Sequence, residues 1–199
     1  MLVIGLTGGI GTGKSQVSKV LKELGAAVID ADLLGHEAYS PHTGTWAEIV
    51  EAFGKNVLTP GGEVDRKRLG AIVFNDSAAL ARLNAIMHPR MYEMIEERLA
   101  ELRGRGHEVA IVEAALLIEA NWQPLVDEVW VTATPEDEVV RRLQAQRGLD
   151  EEASRARIHS QMPQSERLRH ADIVINNGGA PEDLVDRVKQ LWESRVLTD

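Results

Sequence analysis

Residues Gly8 to Ser15 read G-G-I-G-T-G-K-S and match the pattern G-x-x-x-x-G-K-[ST]. No other feature restricts the fold as much, because this pattern works only between a strand and a helix. Both flanks are legible. Leu2-Val3-Ile4-Gly5-Leu6 is a short apolar run of the kind that forms a buried strand. Behind the glycines, Val17, Val20, Leu21 and Leu24 recur at helical spacing until Gly25 stops the run. A bare glycine-rich turn would lack these flanks, so the stretch is a phosphate-binding loop. Its residue types follow from the task. Backbone N–H groups have to turn inward around a phosphate chain, which glycine permits at little cost. The positive end of the next helix adds attraction for an anion. Lys14 is placed to reach the β- and γ-phosphates, and the Ser15 hydroxyl to ligate Mg²⁺.

The remaining chain repeats the strand–helix alternation. Ala26-Ala27-Val28-Ile29 reads as a second strand leading into Asp30-Ala31-Asp32. Two carboxylates at a strand's carboxyl end stand where open α/β sheets carry their chemistry. From about Leu33 to Leu102 only helical patterns occur. Trp46, Ile49, Val50 and Phe53 share a face up to Gly54, and Thr59-Pro60-Gly61-Gly62 is a turn. Leu69, Ile72 and Val73 mark the next helix. Leu80, Leu83 and Ile86 mark another, expected to end near His88-Pro89, and Met91 to Leu102 a further one closing at Gly104 and Gly106. Val109–Val112, Glu128–Thr132 and Ile173–Ile175 are the last three strands, with Asp150 a helix N-cap and Met162-Pro163 a break. The expectation is an α/β protein: a five-stranded parallel sheet covered on both faces, carrying a helical insertion large enough to hold a substrate.

Charge sets limits on partners. The net charge of −9 disfavours a general nucleic-acid binder, which presents a basic face. Between residues 141 and 169, however, Arg141, Arg142, Arg147, Arg155, Arg157, Arg167 and Arg169 outnumber Asp150, Glu151, Glu152 and Glu166. Such a segment suits a local polyanion site, although most of these arginines also fit a solvated helical face with i,i+4 pairs. The chain has no cysteine, which removes disulfide and thiolate chemistry. Apolar runs such as Val109–Val112 are too short to cross a bilayer, and the first strand begins at once, so a cytoplasmic protein is expected.

A phosphate loop alone does not separate a switch GTPase, a motor and a small-molecule kinase. Asp32 to Gly35 matches D-x-x-G, but N-K-x-D, the guanine-selecting partner motif, is absent. A kinase needs a phosphate loop, a Mg²⁺ site, a group that orients an acceptor hydroxyl, and a cationic cover that excludes water. The chain offers candidates for all four. Further strings carry a resemblance: G-L-T-G-G-I-G-T-G-K-S (Gly5–Ser15), V-I-D-A-D (Val28–Asp32) and H-P (His88-Pro89). They continue as E-A-A-L-L-I-E (Glu113–Glu119), A-R-I-H-S-Q-M-P (Ala156–Pro163) and A-D-I-V-I-N-N-G-G (Ala171–Gly179). In order and spacing the chain resembles the dephospho-coenzyme A kinases over nearly its whole length.

That resemblance implies transfer of the ATP γ-phosphate to the ribose 3′-hydroxyl of dephospho-CoA, the last step in making CoA. It implies an adenylate-kinase-like P-loop kinase core (1–32, 107–140 and 170–199), a helical CoA-binding region (33–106) and a mobile lid (141–169). Gly9, Gly11, Thr12, Gly13, Lys14 and Ser15 would bind nucleotide, with Gln16 at the edge of the set. Asp32 and Lys14 would be catalytic, together with Arg157 as the lid arginine. His88 and Asp32 would meet the substrate, whereas Asp30 is read as capping or structural. Glu113 is either a surface residue at a strand end or a carboxylate that joins Ser15 at Mg²⁺ by holding one of its waters. Three positions depart from the family's pattern: Ala115 where proline is common, Gln16 for a threonine or serine, and Gln146-Arg147 where an arginine precedes aspartate or asparagine. A nucleoside monophosphate kinase and a nucleotide-dependent switch are the rival readings. Monomer and small homo-oligomer both stay open.

Overall fold

The computed structural model describes residues 1–196. The chain forms two compact units, Met1–Asp30 with the chain from Leu99 onward, and Ala31–Arg98. The first unit holds the sheet. Its elements are β1 (Leu2–Gly8), α1 (Lys14–Glu23), β2 (Ala27–Asp30) and, after the second unit, β3 (Val109–Glu113) and β4 (Glu128–Ala133). Then come α6 (Glu136–Arg147), α7 (Glu151–His159), α8 (Gln164–Leu168), β5 (Ile173–Asn176) and α9 (Pro181–Arg195). The strand order is β2-β3-β1-β4-β5, and every pairing is parallel. All five expected strands form.

The central strands β3, β1 and β4 are largely buried and read as apolar runs, whereas the edge strands β2 and β5 keep partly exposed residues such as Val174. On one face Ile4, Leu6, Val109, Ile111, Trp130 and Ile175 pack with Val17 and Leu21 of α1 and Leu184, Val188 and Trp192 of α9. Trp130 is fully buried, and its indole N–H donates to Glu128 Oε2 at 2.7 Å. The connections leaving β1 and β3 run in opposite directions along the sheet, since β1 leads to β2 while β3 leads to β4. Ligands in open α/β sheets bind where neighbouring strands diverge in this way, at their carboxyl ends. Gly8 ends β1 there, and Glu113 ends β3.

The second unit carries α2 (Ala31–Ala38), α3 (Gly44–Phe53), α4 (Arg66–Val73) and most of α5 (Ser77–Gly104). Thr43 caps α3 by accepting from the Trp46 N–H at 3.1 Å, and Asp65 caps α4 by accepting from Lys67 and Arg68. Ile49, Val57, Val64, Leu69, Val73 and Met87 form its core. Its extended pairing is a single bridge, Leu58 with Val64.

One expectation fails here. The helix over Leu80–Ile86 does not end at His88-Pro89; α5 runs unbroken for 28 residues with Pro89 inside it. Proline lacks the N–H that Ala85 would bond and crowds that carbonyl, a cost of about 3 kcal/mol. Met87, Ile95 and Leu99 are buried along the same helix, and each contributes about 1.5–3 kcal/mol. Burial outweighs the proline. His88 therefore lies mid-helix and half-buried rather than at a helix start.

Candidate active site

The loop after β1 is fixed from several sides. Gly8 has φ +155°, and a β-carbon on it would press into Thr132, its carbonyl oxygen 2.8 Å away. Gly13 has φ +95° and caps α1 in the left-handed region, where an L side chain is strained. Between them the Thr12 hydroxyl donates to the Gly9 carbonyl at 2.8 Å and lies 2.7 Å from Thr132 Oγ1. The Thr12 carbonyl accepts from Asn177 Nδ2 at 2.9 Å and from Thr134 Oγ1 at 3.4 Å. Thr134 also donates to the Asn177 carbonyl at 3.0 Å. Thr12, Thr132, Thr134 and Asn177 are all buried, so these polar groups depend on one another for partners. The carboxyl ends of β4 and β5 thereby hold the loop's backbone.

Cationic and hydroxyl groups stand around that backbone. Lys14 Nζ donates to the Gly8 carbonyl at 2.9 Å, so its ammonium arches back over the loop. The first turn of α1 has no acidic residue, which leaves its positive end open to an anion. Ser15 Oγ donates to Glu113 Oε1 at 3.1 Å. Oxygens around an octahedral Mg²⁺ at 2.0–2.1 Å lie about 3 Å apart, so with Ser15 on the ion Glu113 Oε1 is near enough to ligate it or to hold one of its waters. Among the described residues no three His, Asp or Glu side chains cluster as a metal site, so the remaining donors would be water and phosphate oxygens. Asp30 is the register partner of Glu113, and two carboxylates end adjacent strands.

Residues from α6 to α8 roof the loop. Gln161 Oε1 accepts from the Ile10 N–H at 2.8 Å, and Gln164 Oε1 from the Thr134 N–H at 3.3 Å. Arg142 donates to the carbonyls of Gly11 and Asn177 at 3.3 and 2.7 Å and pairs with Glu138 at 3.0 Å. Arg155 joins α7 to the start of α6 through Asp137 and Glu136 and pairs with Glu151 within α7; these hydrogen bonds hold its guanidinium even more firmly protonated than usual. Beneath this roof lies a cavity of about 440 Å³, bounded among others by Gly9, Ile10, Val139, Ile158, Gln161 and Arg167.

Of the residues expected from the sequence, Gly9, Gly11, Thr12, Gly13, Lys14 and Ser15 are together in the loop, and Glu113 meets Ser15. Gln16 is exposed on the first turn of α1. Arg157 is exposed on α7, beside Ile158 and His159, which line the cavity. Asp32 is exposed on the first turn of α2, two residues past β2. In the helical unit a second cavity of about 470 Å³ is bounded by Thr43, Glu48, Pro89, Arg90 and Met94. Sequence reasoning gave no role to Thr132, Thr134, Arg142, Gln161, Arg167, Asn177 or Glu119. Three of them stood inside the quoted strings, so their presence was visible while their partners were not.

The comparisons with known proteins bear on the family and the fold. The family model described as Dephospho-CoA kinase matches residues 2–183. A dephospho-CoA kinase of Geobacter sulfurreducens is 49% identical over 195 residues, covering 98% of this chain and 99% of that protein. The solved dephospho-CoA kinase of Campylobacter jejuni is 28% identical with a TM-score of 0.75, covering 98% of this chain and 97% of that one. A solved Thermus thermophilus protein is 32% identical with a TM-score of 0.81 and the same coverage. A shikimate kinase from Acinetobacter baumannii, 20% identical with a TM-score of 0.58, shares the fold. With the phosphate loop, its hydroxyl–carboxylate pair and this match from end to end, the chain belongs to the dephospho-CoA kinase family.

Proposed function

We propose that this protein transfers the γ-phosphoryl group of ATP to the ribose 3′-hydroxyl of dephospho-CoA, giving CoA and ADP. The observation that carries a kinase reading is the Ser15–Glu113 pair at 3.1 Å beside a phosphate loop that Gln161 roofs. Closure of residues 141–169 over this loop would limit attack by water, which a transferase needs. No helix among the described residues is long and apolar enough to cross a membrane.

In this reading the acceptor's 3′-oxygen attacks the γ-phosphorus, the bond to the β–γ bridging oxygen breaks, and ADP leaves. Lys14 and the amides of Gly9 to Ser15, other than those of Ile10 and Thr12, which bond Gln161 and the Gly9 carbonyl, hold the phosphates and offset charge on the transferring group. Asp32, at the carboxyl end of β2 in sequence, accepts the hydroxyl's proton and aligns the oxygen. Ser15 and Glu113 would hold Mg²⁺, which neutralises phosphate charge when bound. Gln16 borders the nucleotide, Arg157 acts from a lid spanning 141–169, and residues 33–106, His88 among them, receive the acceptor. A cytoplasmic setting suits these two soluble substrates. The test is one coupled assay of ADP release with dephospho-CoA, with AMP and with no acceptor. Rapid turnover with dephospho-CoA alone is expected. Equal rates with AMP would favour a nucleoside monophosphate kinase, and slow hydrolysis unaffected by any acceptor would favour a switch.

A further inference from the structure

Arg167 is a charged side chain that the reading so far leaves unused. It sits on α8, is 3% exposed, and lines the cavity beside the phosphate loop. Its one ion pair among the described residues is Arg167 Nη2 with Glu119 Oε1 at 3.0 Å. That pairing is one-sided. Arg167 Nε and Glu119 Oε2 are both buried and have no partner among the described residues. A guanidinium and a carboxylate that served only each other would dock through two parallel bonds and satisfy both atoms. Here the fork is turned instead, and Nη1 lies 3.5 Å from the point where a β-carbon on Gly9 would stand. A buried half-satisfied pair is costly to keep for stability alone.

We propose that Arg167 is a second phosphate-binding cation of this site, and that Glu119 is the residue that positions it. Lys14 reaches back from the loop's carboxyl-terminal end to the Gly8 carbonyl, whereas Arg167 comes from α8 to stand beside Gly9. Glu119 offsets part of the cost of burying the guanidinium's charge and fixes its direction while leaving Nη1 for a phosphate oxygen. The inference rests on ATP being the nucleotide that this loop takes.

The test compares the parent with Arg167→Met, Arg167→Lys and Glu119→Gln by calorimetric binding of ATP and of adenosine, alongside steady-state turnover and thermal unfolding. Arg167→Met is expected to weaken ATP by about 10- to 100-fold, the range for a charge-assisted hydrogen bond, and to leave adenosine within twofold. Glu119→Gln removes a negative charge near a polyanion, so ATP binds at least as tightly as to the parent. Its turnover falls about tenfold, because the guanidinium has lost its anchor. A purely structural pair gives another pattern: both variants lose thermal stability and shift ATP and adenosine together. ATP binding by Arg167→Met within twofold of the parent, or equal weakening by Glu119→Gln, overturns the proposal. If the methionine variant does not fold, Arg167→Lys decides. Its single ammonium is drawn to Glu119, so ATP weakens at least fivefold with adenosine unchanged, and unchanged ATP affinity refutes the idea. Failure of the parent itself to bind ATP would instead sink the kinase reading on which this rests.

Discussion

Replacing Gly13 by alanine tests how the phosphate loop is held. Gly13 has φ +95°, and a left-handed position costs an L-residue about 1–2 kcal/mol. The new β-carbon would also collide with Asn177 Nδ2. Asn177 would have to give up its 2.9 Å bond to the Thr12 carbonyl, and disturbing a buried bond of this kind costs about 1–3 kcal/mol. Together these give a destabilisation of about 2–5 kcal/mol, or roughly 4–20 °C in Tm for a chain of 199 residues. Asn177→Ala alone loses the same bond without the strain, about 1–2 kcal/mol, because Thr134 still reaches the Thr12 carbonyl at 3.4 Å. In the double variant the lost bond counts once, so its cost should fall short of the sum of the singles by about 1–2 kcal/mol. Urea unfolding of the four proteins measures this coupling. Additivity within about 0.5 kcal/mol would refute the claim that Asn177 packs against the space Gly13 leaves.

Three further outcomes are expected. Lys14→Ala should lower turnover by roughly a hundredfold or more at normal thermal stability, and a near-normal steady-state rate would remove Lys14 from the phosphate-binding set. Asp32→Asn should lower turnover by about 10²- to 10⁴-fold with ATP affinity little changed; since Asp32 lies in the first turn of α2, a purely helical role would cost a few tenths to about 1 kcal/mol of stability and leave the rate within about threefold. Backbone amides of residues 141–169 should exchange more slowly with an ATP analogue bound than without, and equal protection by mass spectrometry would argue against a lid.

How much of this was legible depended on whether the deciding partner was near in sequence. The loop from Gly8 to Ser15 announces itself because its helix and strand are adjacent, and the central strands do so because buried parallel strands are apolar runs. Asp150 was readable as a cap since the amide it accepts, that of Ala153 at 2.7 Å, is three residues away. Pro89 misled for the opposite reason: its local penalty was plain, while the burial of Met87, Ile95 and Leu99 along the same helix depends on tertiary packing. Arg167 was one of seven arginines in a charged segment. Nothing local distinguishes a guanidinium that is 3% exposed and paired with Glu119 from Arg169, which is 74% exposed and pairs with Glu166.

The long-range pairing of β1 has a bearing on how the chain matures. Leu2 pairs with Val109 and Ile4 with Glu128, and Thr12 is held by Thr132, Thr134 and Asn177. A chain emerging from the ribosome therefore presents its phosphate motif long before it owns the side chains that shape it. Topologies with such distant pairings fold slowly, because loop closure precedes any gain from the contacts. Nascent chains that stop short of Asn177 would carry Gly8 to Ser15 as a flexible glycine-rich strand end with little hold on nucleotide. Competence to bind ATP is therefore expected only once β5 is made, and capture of released chains truncated before and after β5 on an immobilised ATP analogue tests this.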